Sequence, residues 1–231
     1  MKGIILISAY NSAGTLPGVL TNLKKYPFLE VLLIDDGSTD TTADIAYSYD
    51  VQVIRHKKNL GKGAALQSGF HYATENNFDF VITQDADGQH PAESICGFLS
   101  AHEKHPQSIL LGSRKRDKRM PWPRRISNAV SAFLITKRIH RKIYDAQCGF
   151  RLIPQPFFSW KCSTRRGFIY ESEMLICFAE NDADFRFISI PTLYSKDSKS
   201  KMTYFRSTFG FISMYITSFF KDYRKKRYDL Q

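Results

Sequence analysis

Short apolar segments alternate with helix-forming segments over the first half of the chain. The apolar runs are too short for helices and are predicted to be buried strands at residues 3–8, 30–35, 51–56, 78–84 and 108–114. Helices are predicted between them at residues 16–26, 43–49, 62–77 and 91–105. This alternation is typical of an α/β fold with a mostly parallel central sheet, covered by helices on both faces.

The second half is less regular. A basic loop with two prolines covers residues 115–125. It is followed by a predicted helix at 126–140 and a loop or short strand at 144–154. A further helix is predicted at 170–182 and an extended segment at 185–194. These segments are expected to decorate the first half. We therefore predict one domain over residues 1–202, followed by a C-terminal amphipathic, basic helix over 203–231.

Polar side chains collect just after the predicted strands. Asp35 and Asp36 follow the second strand, Asp85 and Asp87 follow the fourth, and Arg114 ends the fifth. In open α/β sheets, ligands bind in the crevice beyond the carboxyl ends of the strands. We expect these groups to lie along one edge of the sheet.

The segment Val81–Pro91 carries two carboxylates, Asp85 and Asp87, separated by one residue. On an extended backbone both would point to one face, which would favour a hard divalent cation, Mg²⁺ or Mn²⁺. Gln89 continues this period and offers a third oxygen ligand. The alternative is that the two aspartates only cap the following helix. His90 is expected to pack or hydrogen-bond locally rather than to bind the metal.

Two further motifs concern nucleotides. A carboxylate of the segment 35–40 can accept hydrogen bonds from a nucleobase N–H or from ribose hydroxyls, and a tight turn capped by Ser38 or Thr39 is compatible with that role. The glycine-bearing segment 59–69 has neither the order of a P-loop nor the position of a dinucleotide-binding fingerprint. Both of those classes of site are therefore excluded.

The length, charge and cysteine content of the chain indicate its size class and the kind of partner it binds. The chain has 231 residues, which suits one sizeable domain, and a net charge of +11. That charge suggests an anionic partner: nucleic acid, an anionic membrane surface or phosphorylated ligands. Its four cysteines, Cys96, Cys148, Cys162 and Cys177, have no C-x-x-C spacing and are expected to be reduced and mostly buried. The first apolar run is too short for a signal peptide.

Six motifs in order resemble the family 2 inverting glycosyltransferases of the GT-A fold. They are SAYNSAGTL, VLLIDDGSTDTT, NLGKGAALQSGF, TQDADGQHP, GSR and DAQCGFRL. Within that family the chain is most similar to the dolichyl- or polyprenyl-phosphate mannosyl- or glucosyltransferases. The resemblance implies a Rossmann-like sheet, a Mg²⁺ or Mn²⁺ cofactor, a GDP- or UDP-hexose donor and a polyprenyl phosphate acceptor. It also implies a peripheral position on the cytoplasmic face of a membrane.

The resemblance also assigns site residues. The implied nucleotide-binding residues are Ala9, Tyr10, Asn11, Asp35, Asp36, Lys62, Asp85 and Ala86. The implied metal ligands are Asp85, Asp87 and Gln89. The implied acceptor-phosphate residues are Arg114, Arg124, Arg125, Asn128, Ser200 and Lys201, and the implied catalytic residues are Asp87, Asp145 and Arg114. The chain departs from the family pattern at Ser8, Ser12 and Asn128, where the family has proline, an acid and serine.

The implied reaction is a single in-line displacement at the anomeric carbon. A lipid phosphate acceptor is already anionic and needs no strong base, whereas a hydroxyl acceptor would need one, with Asp145 the best match. Glu171 and Glu173 are expected to be structural. Competing interpretations are a nucleic-acid-binding protein, for which no known motif is present, and a non-catalytic scaffold, against which the intact Asp85 and Asp87 count.

Two segments bear on membrane contact. The basic loop and Trp122 suit lipid phosphates and the membrane interface. In the C-terminal segment an apolar stripe is formed by Phe205, Phe209, Ile212, Ile216 and Phe219. Because Arg206 and several hydroxyls interrupt this segment, we expect an interfacial helix on anionic headgroups rather than a membrane-spanning one. The alternative is a helix packed on the domain or at a dimer contact.

Overall fold

A computed structural model supplies the fold. The residues that it describes are 1–114, 120–160, 162–163, 167, 169–191, 193 and 204–223, with side chains of the last helix described from residue 209. The strands are β1 Gly3–Ala9, β2 Glu30–Asp35, β3 Gln52–Arg55, β4 Phe80–Asp85, β5 Ile109–Arg114, β6 Arg151–Pro154 and β7 Phe185–Ile190. The helices are α1 Leu16–Leu23, α2 Thr42–Ser48, α3 Lys62–Glu75, α4 Ser94–Lys104, α5 Trp122–Ile139, α6 Ile169–Glu180 and α7 Tyr204–Thr217.

Within these residues the strands form one seven-stranded sheet in the order β3-β2-β1-β4-β6-β5-β7. Neighbouring strands run parallel except at β6, which pairs antiparallel with both β4 and β5. The predicted α/β fold with a mostly parallel sheet is confirmed. The second half of the chain does more than decorate the first, because it supplies β6 to the interior of the sheet and β7 to its edge.

The apolar strands have a core on each face of the sheet. Since successive strand residues point to opposite faces, Ile4 and Leu6 pack beneath α3, α5 and α6, while Ile5 and Ile7 pack beneath α1, α2 and α4. All four side chains are fully buried. Continuous apolar runs are what a sheet covered on both faces requires.

Arg151 of β6 is the largest fully buried side chain, and it connects the two halves of the chain. Its guanidinium donates hydrogen bonds to the carbonyl oxygens of Ala146, Cys148 and Glu171, at 3.2, 2.9 and 2.7 Å. These carbonyls belong to the loop before β6 and to the first turn of α6. Arg151 therefore holds that loop and that helix together below the carboxyl edge of the sheet.

The C-terminal helix α7 packs on the domain. Met214 is fully buried, and Arg138 of α5 donates to the Ser218 carbonyl at 2.8 Å. Just beyond the helix, Tyr223 and Lys221 contact the buried carboxylate of Glu173 at 2.9 and 2.7 Å, which agrees with the structural role expected for Glu173. No helix in the described ranges is long and apolar enough to cross a membrane. The predicted boundary at residues 202–203 lies outside the described residues.

The expectation of four reduced thiols is wrong for two of them. Cys162 and Cys177 form a disulfide, with their Cα atoms 5.5 Å apart. Tertiary structure explains this bond, because α6 runs back past the segment that precedes it and brings the two sulfurs together. Cys148 is buried and Cys96 is exposed, and burial raises the pKa of the Cys148 thiol to about 12.

Two turn glycines differ only in their surroundings, which makes them a test of the turn geometry. Gly37 and Gly88 have φ angles of +74° and +73°, but a Cβ at Gly37 would lie 2.4 Å from the backbone of Lys58, whereas one at Gly88 would meet nothing within 4 Å. We expect Gly88→Ala to lower the unfolding free energy by about 1–2 kcal/mol through its positive φ. Gly37→Ala should lower the unfolding free energy by about 1–3 kcal/mol more than Gly88→Ala, because its Cβ collides with the backbone of Lys58. Urea denaturation measures both, and equal losses would contradict this packing.

Candidate active site

The polar ends of three strands lie side by side at the carboxyl edge of the sheet. Ala9 of β1 is paired with Asp35 of β2, and Ser8 is paired with Asp85 of β4. The strands are parallel and end in register, so the residues that follow them meet at one edge. The structure thus brings together the loops that the sequence analysis assigned to a common site.

Asp36 organises the loop before α3. Its carboxylate accepts hydrogen bonds from the backbone N–H groups of Leu60 and Gly61, at 2.9 and 2.7 Å, and contacts the His56 ring at 2.7 Å. Both oxygens are engaged and the residue is buried. Asp36 therefore fixes the start of α3, and its predicted contact with a nucleoside stays a prediction.

Asp35 is also engaged within the protein. One oxygen accepts the Ser38 N–H at 2.9 Å, the other lies 3.0 Å from Arg55 Nε, and the side chain is completely buried. This arrangement is the tight turn that the sequence analysis allowed beside the nucleotide role. Asp35 shapes the turn at residues 36–40, and any effect on a nucleoside would pass through that turn.

The first loop is tied to the same turn. Asn11 adopts a left-handed conformation with φ 47°, its N–H donates to Ser38 Oγ at 2.9 Å, and its side-chain oxygen accepts the Thr39 N–H at 2.8 Å. The carbonyl of Ala86 accepts a hydrogen bond from Thr15 at 2.5 Å. The loops after β1, β2 and β4 are therefore joined at the carboxyl edge of the sheet, where Tyr10 is partly exposed.

A cluster of charges lies at the end of β4. Lys62 Nζ lies 2.5 Å from Asp85 Oδ1 and 3.0 Å from Glu171 Oε2, and the lysine side chain is 11% exposed. Burial alone would lower the pKa of Lys62, but the charges of Asp85 and Glu171 outweigh it and raise that pKa. Glu171 was expected to be structural, and the structure places it in the site. Its only sequence signal was an acid in the first turn of α6.

The backbone of Gly149 closes over this cluster. A Cβ at that position would lie 2.8 Å from Lys62 Nζ and 2.9 Å from both Asp85 Oδ2 and Glu171 Oε1. A side chain at this position, in the QCGF segment of the sixth motif, would therefore displace the charged ends of these three side chains. Burial alone would raise the pKa of Asp85, but Lys62, His90 and Arg114 outweigh it and lower that pKa.

The first predicted metal ligand, Asp85, lies at the end of a strand as expected, but the second, Asp87, does not continue the strand. Strand β4 ends at Asp85, and Asp87 lies in a turn where its carboxylate accepts the Gln89 N–H at 3.0 Å. The inference that an extended backbone puts Asp85 and Asp87 on one face is therefore wrong, because the chain turns after Asp85. Within the described ranges no group of three His, Cys, Asp or Glu residues is arranged to hold a metal.

His90 plays the local role predicted for it. Its Nδ1 accepts a hydrogen bond from the Asp85 N–H at 3.2 Å, and its ring stacks on Phe150 at a centroid distance of 5.0 Å. Burial lowers the pKa of His90 and outweighs the opposing charges of Asp85 and Asp87. A neutral ring with a free lone pair on Nδ1 is what the hydrogen bond from Asp85 requires.

Arg114 is held in place by Asp145. Two guanidinium nitrogens donate to the carboxylate at 2.8 and 3.1 Å, and the Asp145 side chain has no exposed surface. Burial alone would raise the pKa of Asp145, but Arg114 outweighs it and lowers that pKa. Asp145 is thus a weak base in this arrangement, and it acts here by orienting Arg114.

A cavity of about 550 Å³ opens beside Arg114 and the side of α5. Its walls combine cationic and apolar groups, and they include Arg114, Ala129, Phe133, Lys142 and Tyr144. Lys142 and Tyr144 were not singled out by the sequence analysis. They stand in an irregular segment before β6, where no periodic pattern signals a wall of a cavity.

The remaining predicted acceptor residues lie on or near α5. Arg124 is partly buried and Arg125 is exposed in the first turn of the helix. Asn128 is 1% exposed, and neither of its side-chain polar atoms has a hydrogen-bond partner among the described residues. Ser200 and Lys201 lie outside the described residues, as do the four basic residues of the loop at 115–119.

Comparison with known proteins identifies the family. The model of glycosyl transferase family 2 matches residues 4–160 of the chain. The chain belongs to glycosyl transferase family 2. It is therefore a sugar-transferring enzyme, as the motifs predicted.

Individual relatives refine the comparison. The chain is 27% identical over 222 residues to the UDP-N-acetylglucosamine–dolichyl-phosphate N-acetylglucosaminyltransferase of Methanococcus voltae, covering 86% of this chain and 88% of that protein. It is 28% identical over 165 residues to the polyprenol monophosphomannose synthase of Mycolicibacterium smegmatis, covering 65% and 60%. Among solved structures, the glucosyl-3-phosphoglycerate synthase of Mycobacterium tuberculosis, crystallised with Mn²⁺, UDP-glucose and phosphoglyceric acid, superposes with a TM-score of 0.74 at 14% identity. That superposition covers 100% of this chain and 87% of the synthase, and it supports the GT-A fold.

The buried Arg114–Asp145 pair gives a pH-dependent prediction. Arg114→Met leaves the Asp145 carboxylate buried without a cation, so its pKa should rise and the variant should be destabilised by about 3–5 kcal/mol at pH 7. The loss should shrink as the pH falls below the raised pKa and Asp145 becomes neutral. In the wild-type chain the pair's stabilisation is present above the ordinary aspartate pKa, about 3.9, and is lost as the pH falls through the lowered value.

The double variant Arg114→Met/Asp145→Asn is the control, since it removes both charges. Chemical denaturation between pH 4 and pH 8 should find most of the lost stability restored in the double variant. A double variant as unstable as Arg114→Met at pH 7 would contradict the assignment of Asp145 as the ionised partner.

Proposed function

We propose that the enzyme transfers a hexose-type sugar from a nucleoside-diphosphate sugar to a polyprenyl phosphate, with inversion at the anomeric carbon, at a membrane surface. The observation that carries the proposal is the juxtaposition of carboxylates at the end of β4 with the oriented Arg114 at the end of β5. Strands β4 and β5 are separated in the sheet by β6 alone, and Asp145 holds the Arg114 guanidinium in place at the end of β5. The named relatives act on dolichyl or polyprenol phosphates, which supports this acceptor class.

The donor set fits a hard divalent cation. Asp85, Asp87 and Gln89 offer carboxylate and amide oxygens within one turn, which are the ligands that Mg²⁺ and Mn²⁺ prefer. Asp85 already pairs with a cationic group at 2.5 Å, so its position favours positive charge. When bound, the cation would neutralise the diphosphate leaving group. The first loop, the turn at residues 36–40 and Ala86 would enclose the nucleoside.

In the part of the chain that the structure describes, the acceptor side of the site is cationic, and the predicted base Asp145 is engaged by Arg114. Arg114, oriented by Asp145, together with Arg124 and Arg125, would bind the acceptor phosphate and align it for attack. An anionic phosphate oxygen is itself the nucleophile, so no proton needs to be removed. A hydroxyl acceptor is less well supported, because Asp145 is fully buried and engaged by Arg114.

Exposed apolar stripes on α5 and α7 support contact with a membrane. On α5 the exposed residues recur at helical spacing, and they are Trp122, Ile126, Val130 and Phe133. On α7 and just after it they are Phe209, Ile212, Ile216, Phe219 and Phe220. Contiguous exposed apolar surface of this kind marks sites of interaction, and amphipathic helices with such stripes lie in the interface plane of bilayers. Phe133 also lines the cavity, so the proposed membrane surface adjoins the proposed acceptor site.

Metal-dependent donor binding is tested by thermal shift with GDP- and UDP-sugars and Mn²⁺ or Mg²⁺. One nucleotide class should stabilise the wild-type enzyme, by about 2.7 kcal/mol at a hundred times its dissociation constant, and only with metal. Asp87→Ala should lose this stabilisation because a metal ligand is gone. Glu103→Ala, an exposed acid on α4, is the control and should keep it. Normal binding and turnover by Asp87→Ala would overturn the proposed metal site.

Membrane contact is tested by sedimentation with anionic and neutral vesicles. The double variant Trp122→Ser/Phe133→Ser should bind anionic vesicles at least several-fold more weakly, since it removes two of the exposed side chains on α5. Phe28→Ser is a matched control. Phe28 is 68% exposed and lies just before β2, at the amino edge of the sheet. An equal loss for Phe28→Ser, or none for the double variant, would contradict the proposed surface.

A further inference from the structure

We propose that Lys62 is an internal counter-ion that competes with the divalent cation for Asp85, and that Glu171 holds Lys62 once the cation is bound. This inference rests on the proposed function, because it assumes that Asp85 is a metal ligand. It assigns positioning roles to Lys62 and Glu171 that follow from the contacts at the end of β4. It also explains why a glutamate of α6 reaches this edge of the sheet.

The place of Lys62 in its helix is the first observation. Lys62 is the first residue of α3, after the N-cap residue Gly61. A cation at a helix N-terminus is disfavoured by the helix dipole, so the stability of α3 does not account for a lysine there. The two carboxylates that contact its ammonium group do account for it. The backbone just before it is held as well, because the Gly61 N–H donates to Asp36 at 2.7 Å.

The sharing of one ammonium group between two acids is the second observation. Lys62 Nζ lies 2.5 Å from Asp85 and 3.0 Å from Glu171. Asp85 is the more exposed acid, at 27% of its side chain against 7% for Glu171. A cation arriving from solvent therefore reaches Asp85 first, and Lys62 can keep its contact with Glu171 while releasing Asp85. A lysine stem is flexible enough for such a small movement.

The backbone of Gly149, which lies against the cluster, is the third observation. Gly149 lies so close that even a Cβ would approach Lys62, Asp85 and Glu171 within 2.8–2.9 Å. An ammonium group and a divalent cation that both contact the Asp85 carboxylate would lie close together and repel each other strongly, because they carry like charges. Binding of the cation should therefore require that Lys62 leave Asp85. The cost of that step would keep the affinity for the bare metal low and favour its arrival with the diphosphate of the donor.

The proposal predicts opposite effects for two substitutions at one cluster. Lys62→Met keeps the length of the side chain but removes the competing charge, so Mn²⁺ alone should bind at least tenfold more tightly. Glu171→Gln removes the acceptor that would hold the displaced Lys62, so Mn²⁺ should bind several-fold more weakly. Lys62→Met/Glu171→Gln should again bind more tightly than the wild-type enzyme, since no competing cation remains.

Mn²⁺ binding is measured by electron paramagnetic resonance titration without nucleotide, so that a direct contact of Lys62 with phosphate does not enter. Lys25→Met, which breaks the exposed ion pair of Lys25 with Glu93, is the control and should leave Mn²⁺ affinity unchanged. Circular dichroism checks that each variant is folded. If Lys62→Met and the double variant bind Mn²⁺ no more tightly than the wild type, the inference is wrong.

A second titration, of the wild-type enzyme with Mn²⁺ and a saturating UDP- or GDP-sugar, separates this inference from the proposed function. Absence of Mn²⁺ binding under these conditions would overturn the metal-dependent function itself. If Mn²⁺ binds there but both substitutions weaken its binding alike, the metal site stands and Lys62 has only a structural role. Opposite effects of the two substitutions support the exchange of Lys62 between Asp85 and Glu171.

Discussion

Neutralisation of buried carboxylates is the constraint around which the carboxyl edge of this sheet is built. An ionised carboxylate removed from water is costly unless cations or N–H donors surround it. Asp35 and Asp145 pair with arginine, and Asp36 accepts hydrogen bonds from backbone N–H groups. Asp85, which is partly exposed, pairs with lysine. These partners lie in other segments of the chain. The hydrogen bonds and ion pairs of the acids therefore also fix the loops at this edge of the sheet.

Fixed partners and a flexible partner suit two different roles. Asp36 and Asp145 are saturated by partners that the protein does not need to move, and they hold α3 and Arg114 in place. Asp85 is paired with the ammonium group of Lys62, which stands on a flexible stem and which we propose is exchanged for a metal. A site assembled from fixed pairs around one exchangeable pair would be rigid where it recognises the substrate and adaptable where the cation enters.

Helix α5 connects the chemistry to the proposed membrane surface. One face of the helix is buried and includes Asn128 and Ile135. A second face lines the cavity beside Arg114. The third face is the exposed apolar stripe from Trp122 to Phe133. A lipid phosphate with its chain in a bilayer would thus reach the arginines without leaving the surface. The contact of Arg138 with Ser218 keeps α5 and α7 together at that surface.

The sequence by itself determined the α/β class, the mostly parallel sheet and the edge at which the acids collect. It could do so because strands buried on both faces appear as continuous apolar runs, and because parallel strands end at one edge. The motifs also led to the correct family. Only the tertiary structure decided the antiparallel insertion of β6, the Cys162–Cys177 bond, the turn at Asp87 and the meeting of Lys62 with Glu171. Apart from the local turn, these are contacts between residues far apart in the chain, which no periodicity encodes, and the turn depends on hydrogen bonds that the apolar pattern of β4 does not reveal.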